Sequence, residues 1–221
     1  MRKALVFILL LSLVSCKKNS GVDLHESYFP DVQGHFVIYE AQDIFHDQAA
    51  NVSDTTNYWL KVLLDEDYID NEGRLGREYK RFISTDQGAT WSLKDVWHSR
   101  KDILGVDVVE ENHRLRKLVF APIIDKEWDV NAANTRDELT VYYEDVHVQR
   151  SYAGKTMDST LTVRYQDFFS LVDYNIEYEV YAKDVGLVQL YRKDLIIKNF
   201  DTLDIDLGTE NFLLYLDHGV E

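Results

Sequence analysis

The chain has almost no cysteine: Cys16 is its one thiol in 221 residues. That excludes a disulfide within the chain, a catalytic cysteine apart from this one and any Cys-rich metal site, so the fold has to be held by its core. Proline is nearly absent too, with only Pro30 and Pro122, so few elements are broken by a missing N–H. No long segment carries an apolar stripe of period 3.6, and at most a helical turn is expected, around Phe168–Val172. There is no G-x-S-x-G elbow, phosphate-binding loop or dinucleotide fingerprint. The seven histidines (His25, His35, His46, His98, His113, His147, His218) form no H-x-x-x-H or H-x-H pair. Zinc held by His35 and His46 would need tertiary proximity alone. No metal, no cofactor and no enzymatic activity is therefore expected. Positive charge is also short, with 24 Lys and Arg against 39 Asp and Glu, a net charge of -15. A surface of that sign repels nucleic acid and anionic membranes, which excludes nucleic acid as a partner.

What is present starts at the N-terminus. Met1-Arg2-Lys3 is followed by an apolar run from Ala4 to Leu11 and then by Ser12-Leu13-Val14-Ser15-Cys16. A basic start, a short apolar segment and a small residue before the cut describe a secretory signal. The run is far short of the roughly 20 residues that a membrane-spanning helix needs. Leu13-Val14-Ser15-Cys16 resembles the lipobox, which makes Cys16 the lipidated first residue of the mature chain. Residues 1–15 are thus expected to be a lipoprotein signal peptide and 16–27 the lipidated cysteine with a polar tether. Residues 28–221 are expected to form a single β-rich domain. Loss of Arg2 and Lys3 with the leader takes the charge from -15 to -17, so attachment to a membrane must come from the lipid.

Beyond the tether, apolar and polar residues alternate. Tyr58, Leu60, Val62 and Leu64 share one face of their segment, and in Phe36–Ala41 one face holds Phe36 and Ile38, the other Val37 and Tyr39. Leu139–Glu144, Thr160–Tyr165 and Ile176–Tyr181 show the same period of two, rich in β-branched and aromatic residues, which marks half-buried strands. Between them lie Asp70-Asn71-Glu72-Gly73, Thr85-Asp86-Gln87-Gly88, Ala153-Gly154-Lys155 and Lys183-Asp184-Val185-Gly186, with turn residues where hairpins need positive φ. Short turns imply antiparallel neighbours. The expected fold is mainly β: a strongly curved antiparallel sheet, open barrel or sandwich, with one longer loop at Asn131–Asp137 and little helix outside the signal peptide.

Ser84-Thr85-Asp86-Gln87-Gly88-Ala89-Thr90-Trp91 matches the Asp-box, S-x-D-x-G-x-T-W. It occurs once, whereas the propellers that use it repeat it, so Asp86, Gly88 and Trp91 are expected to shape a structural hairpin. The acidic stretch Asp65–Gly73 does not have the spacing of a calcium loop. Asp54-Thr55-Thr56, Asp158-Ser159-Thr160 and Asp201-Thr202-Leu203 resemble the acceptor of Bacteroidetes O-glycosylation, which makes Thr55, Ser159 and Thr202 possible sites. Aromatic residues make up 13% of the chain, enough to raise the question of a ligand groove.

Tyr28-Phe29-Pro30, Asp54–Tyr58, Asp70–Arg74, Trp91 through Trp97, Lys117–Phe120 and Glu179–Val188 together resemble landmarks of flavobacterial-type Bacteroidetes cell-envelope lipoproteins. The resemblance implies an envelope location and no particular activity. Acidic residues directly after the anchor, common in lipoproteins of that group bound for the cell exterior, are missing from Lys17-Lys18-Asn19-Ser20-Gly21. An outer-membrane anchor facing the periplasm is therefore expected. Three functions remain open: a non-catalytic binding or assembly module for an envelope protein, a carrier of a small apolar or sugar ligand in a β-sheet concavity, and a carboxylate-dependent hydrolase. The first is preferred on the missing catalytic signatures.

Overall fold

The computed structural model describes residues 22–221; Cys16 and the leader lie outside the described residues. Twelve strands follow one another: β1 (His35–Asp47), β2 (Val52–Ile69), β3 (Leu75–Ser84), β4 (Ser92–Lys101), β5 (Gly105–Glu110), β6 (His113–Val119), β7 (Glu127–Asp129), β8 (Thr140–Tyr152), β9 (Lys155–Phe169), β10 (Asp173–Ala182), β11 (Gly186–Lys198) and β12 (Asp201–Val220). The alternating segments read from the sequence fall inside these strands, apart from Leu139, which directly precedes β8. The only helical piece among the described residues is a 3-10 turn at Glu26–Tyr28, and no helix there is long and apolar enough to cross a membrane. The stretch around Phe168–Val172 is not a helical turn. It ends β9 and enters a turn in which Ser170 Oγ accepts the Asp173 N–H at 2.9 Å.

The strands form one antiparallel sheet in the order β6-β5-β4-β3-β2-β1-β12-β11-β10-β9-β8-β7. Two six-strand meanders therefore meet at β1 and β12, whose register runs from His35↔Val220 to Asp47↔Leu207. The sheet curls into a nearly closed, open barrel, and its two edges approach each other without a continuous ladder. Across that seam Arg116 N–H donates to Val130 O (2.9 Å) and Trp128 Nε1 donates to Arg116 O (2.8 Å). Tyr143 completes it: its hydroxyl donates to Val119 O at 2.7 Å and accepts the Val119 N–H at 3.0 Å. These bonds occupy edge groups that would otherwise invite pairing with another chain.

The direction of the strands defines two ends. At the proximal end β1 begins and β2, β4, β6 and β12 finish; the distal end carries the turns after β1, β3, β5, β9 and β11. Packing reaches back beyond Tyr28 into the segment read as tether. Ala121 N–H donates to Leu24 O at 2.8 Å, Asp184 N–H to Ser27 O at 2.7 Å, and Lys101 Nζ to Glu26 O at 2.8 Å. This segment crosses the proximal end and inserts Tyr28 and Phe29, both buried, as a floor.

Strand β10 is covered on both sides. Val180 and Ala182 pack with Tyr152 and Met157 from the tip of the β8–β9 hairpin, while Glu179 and Tyr181 line the barrel interior. That arrangement explains why Glu179–Ala182 are buried without interruption: side chains still alternate along the strand, but neither face meets water.

Candidate functional site

The barrel encloses a cavity of about 270 Å3, just below the roughly 300–1,000 Å3 common for small-molecule sites. Its walls are aromatic and aliphatic: Tyr39, Tyr58, Tyr79, Trp97, Tyr181 and Leu60. Phe29 forms the proximal floor. Polar groups sit further toward the distal end, with Arg81, Lys94, Asp43, Glu110, Arg192 and Asn211 contributing to the lining. Tyr79 and Trp97 are stacked at 6.0 Å between ring centroids, and the Arg81 guanidinium lies over Trp97 at 3.8 Å. Stacking fixes that cation beside an apolar wall, so one ligand could meet both a ring face and a positive charge.

Deeper in the cavity lies a charge pair that the sequence did not announce. Lys117 Nζ donates to Glu179 Oε1 at 2.6 Å, and Glu110 Oε1 stands 3.3 Å from the same ammonium. The other Glu179 oxygen accepts hydrogen bonds from Tyr181 (2.6 Å) and Tyr165 (2.9 Å). Glu179 is only 1% exposed. Burial alone would raise its carboxyl, yet the Lys117 ammonium and the two tyrosine hydroxyls hold it below the ordinary value of 4.5. Burial likewise opposes the Lys117 charge, and the Glu110 and Glu179 carboxylates override it, lifting Lys117 well above 10.5. Desolvation drives the Tyr39, Tyr165 and Tyr181 hydroxyls well above 10.0 and Tyr58 to about 12. All of these tyrosines are neutral donors at physiological pH.

Two carboxylates thus meet in the cavity, with a lysine between them. Glycoside hydrolysis needs one carboxyl of raised pKa as the proton donor. Glu179 is shifted the other way and both its oxygens are engaged, so the pair is suited to holding shape and charge.

The residues singled out from the sequence lie elsewhere. In the β3–β4 hairpin Thr90 donates to Asp86 through both its N–H (2.9 Å) and its hydroxyl (2.7 Å), and Ser84 Oγ donates to Asp86 at 2.6 Å. These bonds hold the Asp86 carboxyl at about 2. Gly88 has φ of 86° and sits against the ring of Trp59, where a Cβ would come within 3.1 Å of that ring and 3.4 Å of the Trp91 ring. Asp86, Gly88 and Trp91 so build a self-contained turn at the distal rim. A shallow groove beside it on the outer face is lined by Gln42, Asn57, Trp59 and Gln87.

His35 and His46 do not converge. His35 Nε2 bonds Val185 O at 2.9 Å near the proximal end, and His46 pairs with Glu210 at 2.9 Å toward the distal end. Among the described residues no three His, Asp or Glu side chains are grouped to hold a metal. Thr55 is exposed in β2 and Thr202 half-buried at the start of β12. Ser159 is within β9, where its hydroxyl shares hydrogen bonds with Tyr28 (2.8 Å) and His147 (3.2 Å). A glycan, where one is added, is expected on Thr55 and not on Ser159; glycopeptide mapping of protein from a native host checks this, and a modified Ser159 would contradict it.

No protein-family model matches the chain, and no curated protein does. Among the solved structures similar to it are two from Bacteroidales. One is described as an exported protein with a YmcC-like fold, from Bacteroides fragilis; it is 11% identical, covers 86% of this chain and 98% of its own, and has a TM-score of 0.44. The other is described as a lipoprotein from Parabacteroides distasonis, 10% identical, covering 87% and 98%, with a TM-score of 0.37. At these scores neither likeness decides what the barrel interior does.

Proposed function

We propose that this protein is a lipid-anchored envelope protein that carries a small amphiphilic ligand inside its barrel. The observation behind this reading is the floored cavity, walled by Tyr39, Tyr79, Trp97 and Tyr181 and carrying Arg81 on its aromatic stack. Such a site suits a molecule with a flat or apolar body and a polar or anionic head: the rings cover the body and the guanidinium meets the head. The anchor is Cys16, and the location is the outer membrane facing the periplasm, supported by the lipobox and by the lack of acidic residues after it. The protein acts without catalysis in this reading, which is consistent with the neutral tyrosines and the ion-paired carboxylates of the cavity.

The test is native mass spectrometry of the protein purified in mild detergent from its own envelope. A small-molecule adduct is expected on the wild type, at least tenfold reduced in Trp97→Ala and in Leu60→Trp, which fills the cavity. A wild-type chain that is always empty would rule the reading out. A second reading, the non-catalytic binding or assembly module, draws on an exposed apolar cluster at the distal end: Phe168, Phe169, Leu171, Val172 and Phe200. Phe169 and Phe200 meet edge to face at 5.6 Å, and a patch of this kind is unusual on a protein surface unless it is covered. In that case the barrel purifies empty, and a Phe169→Ser/Phe200→Ser variant loses a protein partner that the wild type retains.

A further inference from the structure

Among the exposed apolar residues of the proximal end, which also include Val32, Ile69, Leu75 and Val220, four sit at two turn tips where polar residues would ordinarily face water. In the β4–β5 turn Asp102 Oδ1 accepts the N–H groups of Leu104 (2.8 Å) and Gly105 (3.1 Å). That cap presents Ile103 and Leu104 outward, 70% and 65% exposed. In the connection from β6 to β7 a second turn closes with Lys126 N–H donating to Ile123 O at 3.0 Å, its third residue Asp125 at φ 63°. Ile123 and Ile124 form its tip, 66% and 55% exposed. The two turns are tied together, since Phe120 N–H donates to Leu104 O at 2.9 Å. Both are fixed in shape by their own hydrogen bonds, so the four aliphatic side chains form a preset surface.

The N-terminal segment runs beside them. Ala121 N–H bonds Leu24 O at 2.8 Å, and Lys101, just before the first turn, holds Glu26 O at 2.8 Å and Phe29 O at 2.9 Å. Six Cα steps separate Val22 from Cys16, and fully extended they span at most about 20 Å. A lipid on Cys16 therefore holds the proximal end within about 20 Å of the bilayer surface, whatever path those residues take. The distal Phe cluster stands on the order of 30 Å further along tilted strands.

We infer that the Ile103–Leu104 and Ile123–Ile124 tips dock into the interface of the bilayer that carries the anchor, seating the barrel on its proximal end. This inference rests on the reading of Cys16 as the anchor. The lipid supplies attachment, because a mature chain of net charge -17 gains none from an anionic surface; the aliphatic tips supply orientation. Seated in this way, the barrel directs its distal end and the polar part of its cavity away from the membrane.

Hydrogen exchange tests the docking. The chain from Cys16 onward is coupled through its thiol to maleimide-bearing lipid in phosphatidylcholine vesicles and compared with the uncoupled chain. Because the tether is made chemically, this result does not depend on whether cells acylate Cys16, which the intact mass of the native protein reads separately. Amides of residues 103–105 and 123–126 are expected to slow roughly tenfold on the vesicles, with residues 168–172 and 199–203 unchanged. A variant with serine at all four tip positions is expected to lose that protection while staying folded, since the substituted side chains are exposed. Unchanged exchange at both tips of the coupled wild type would overturn the inference. So would protection seen in intact envelopes and absent on protein-free vesicles, which would assign the tips to a partner protein.

Discussion

Replacing Lys117 by methionine is expected to destabilise the barrel by about 3–5 kcal/mol, the cost of leaving a buried carboxylate without its counter-charge. A domain of this size is stable by only about 5–15 kcal/mol, so urea unfolding will show a large fall in midpoint. Lys117→Met preserves the stem and removes only the ammonium from the Glu179 carboxylate 2.6 Å away. If charge pairing is the cause, Lys117→Met/Glu179→Gln recovers much of the loss, because the neutral amide oxygen still accepts from Tyr165 and Tyr181 and no unpaired carboxylate is left at that position. A double variant as unstable as the single one would show that the two side chains act through packing instead. The pair also sets a pH signature. Glu179 is held below 4.5 in the folded state, so its contribution is complete above the unfolded value and is lost as pH falls through the folded one. Lys117 is held well above 10.5; its contribution is complete below that value and disappears as pH rises through the folded one. The wild type should therefore lose stability below about pH 4.5 and again above about pH 10.5 relative to the double variant.

This pair also shows where the sequence stopped being informative. In Ile176–Tyr181 the alternation is plain, but it assigns the glutamates to water. The structure places Glu179 inside, after an irregularity in register between Glu177 and Tyr178 against β9. Its partner lies 62 residues away, a distance over which no local pattern operates. Features whose bonds are local were legible. The Asp86 turn is written within eight consecutive residues, and the two-residue period of Tyr58–Leu64 survives because Leu60, Val62 and Leu64 all face the core. β11 and β12 lacked such a signal because Arg192 and Asn211 line the cavity among apolar neighbours, and polar residues pointing inward blur the alternation. Closure at the seam depends on groups that meet a strand 12 to 24 residues earlier, the Trp128 indole on Arg116 O and the Tyr143 hydroxyl on Val119 O. None of the cavity residues was singled out as a site beforehand. Tyr, Trp and Leu at strand positions look the same whether they fill a core or line a hollow, and only the curvature of the assembled sheet separates the two.

Phe29 is where the barrel's stability and its capacity to hold a ligand meet. Its ring is 7% exposed and borders two spaces, the main cavity and a void of about 20 Å3 beneath it next to Val37, Leu64 and Val185. The smaller space is large enough for a single water molecule at most. Phe29→Ala is expected to cost about 3–5 kcal/mol, the usual range for removing a buried aromatic ring, and to join the two spaces into one. The backbone around it has no reason to collapse: Lys101 holds Phe29 O at 2.9 Å and Asp184 holds Ser27 O at 2.7 Å, so the segment stays in place while its ring is missing. Water can then reach the apolar wall from the proximal side. A bound amphiphile loses the dry surface that retains it, so the ligand adduct should fall by at least tenfold in native mass spectra even where the protein remains folded. Phe29→Leu separates the two effects, restoring most of the volume and with it the floor. Should Phe29→Ala unfold at the wild-type midpoint and keep its ligand, the N-terminal segment is an accessory strap and the cavity is closed by the strands alone.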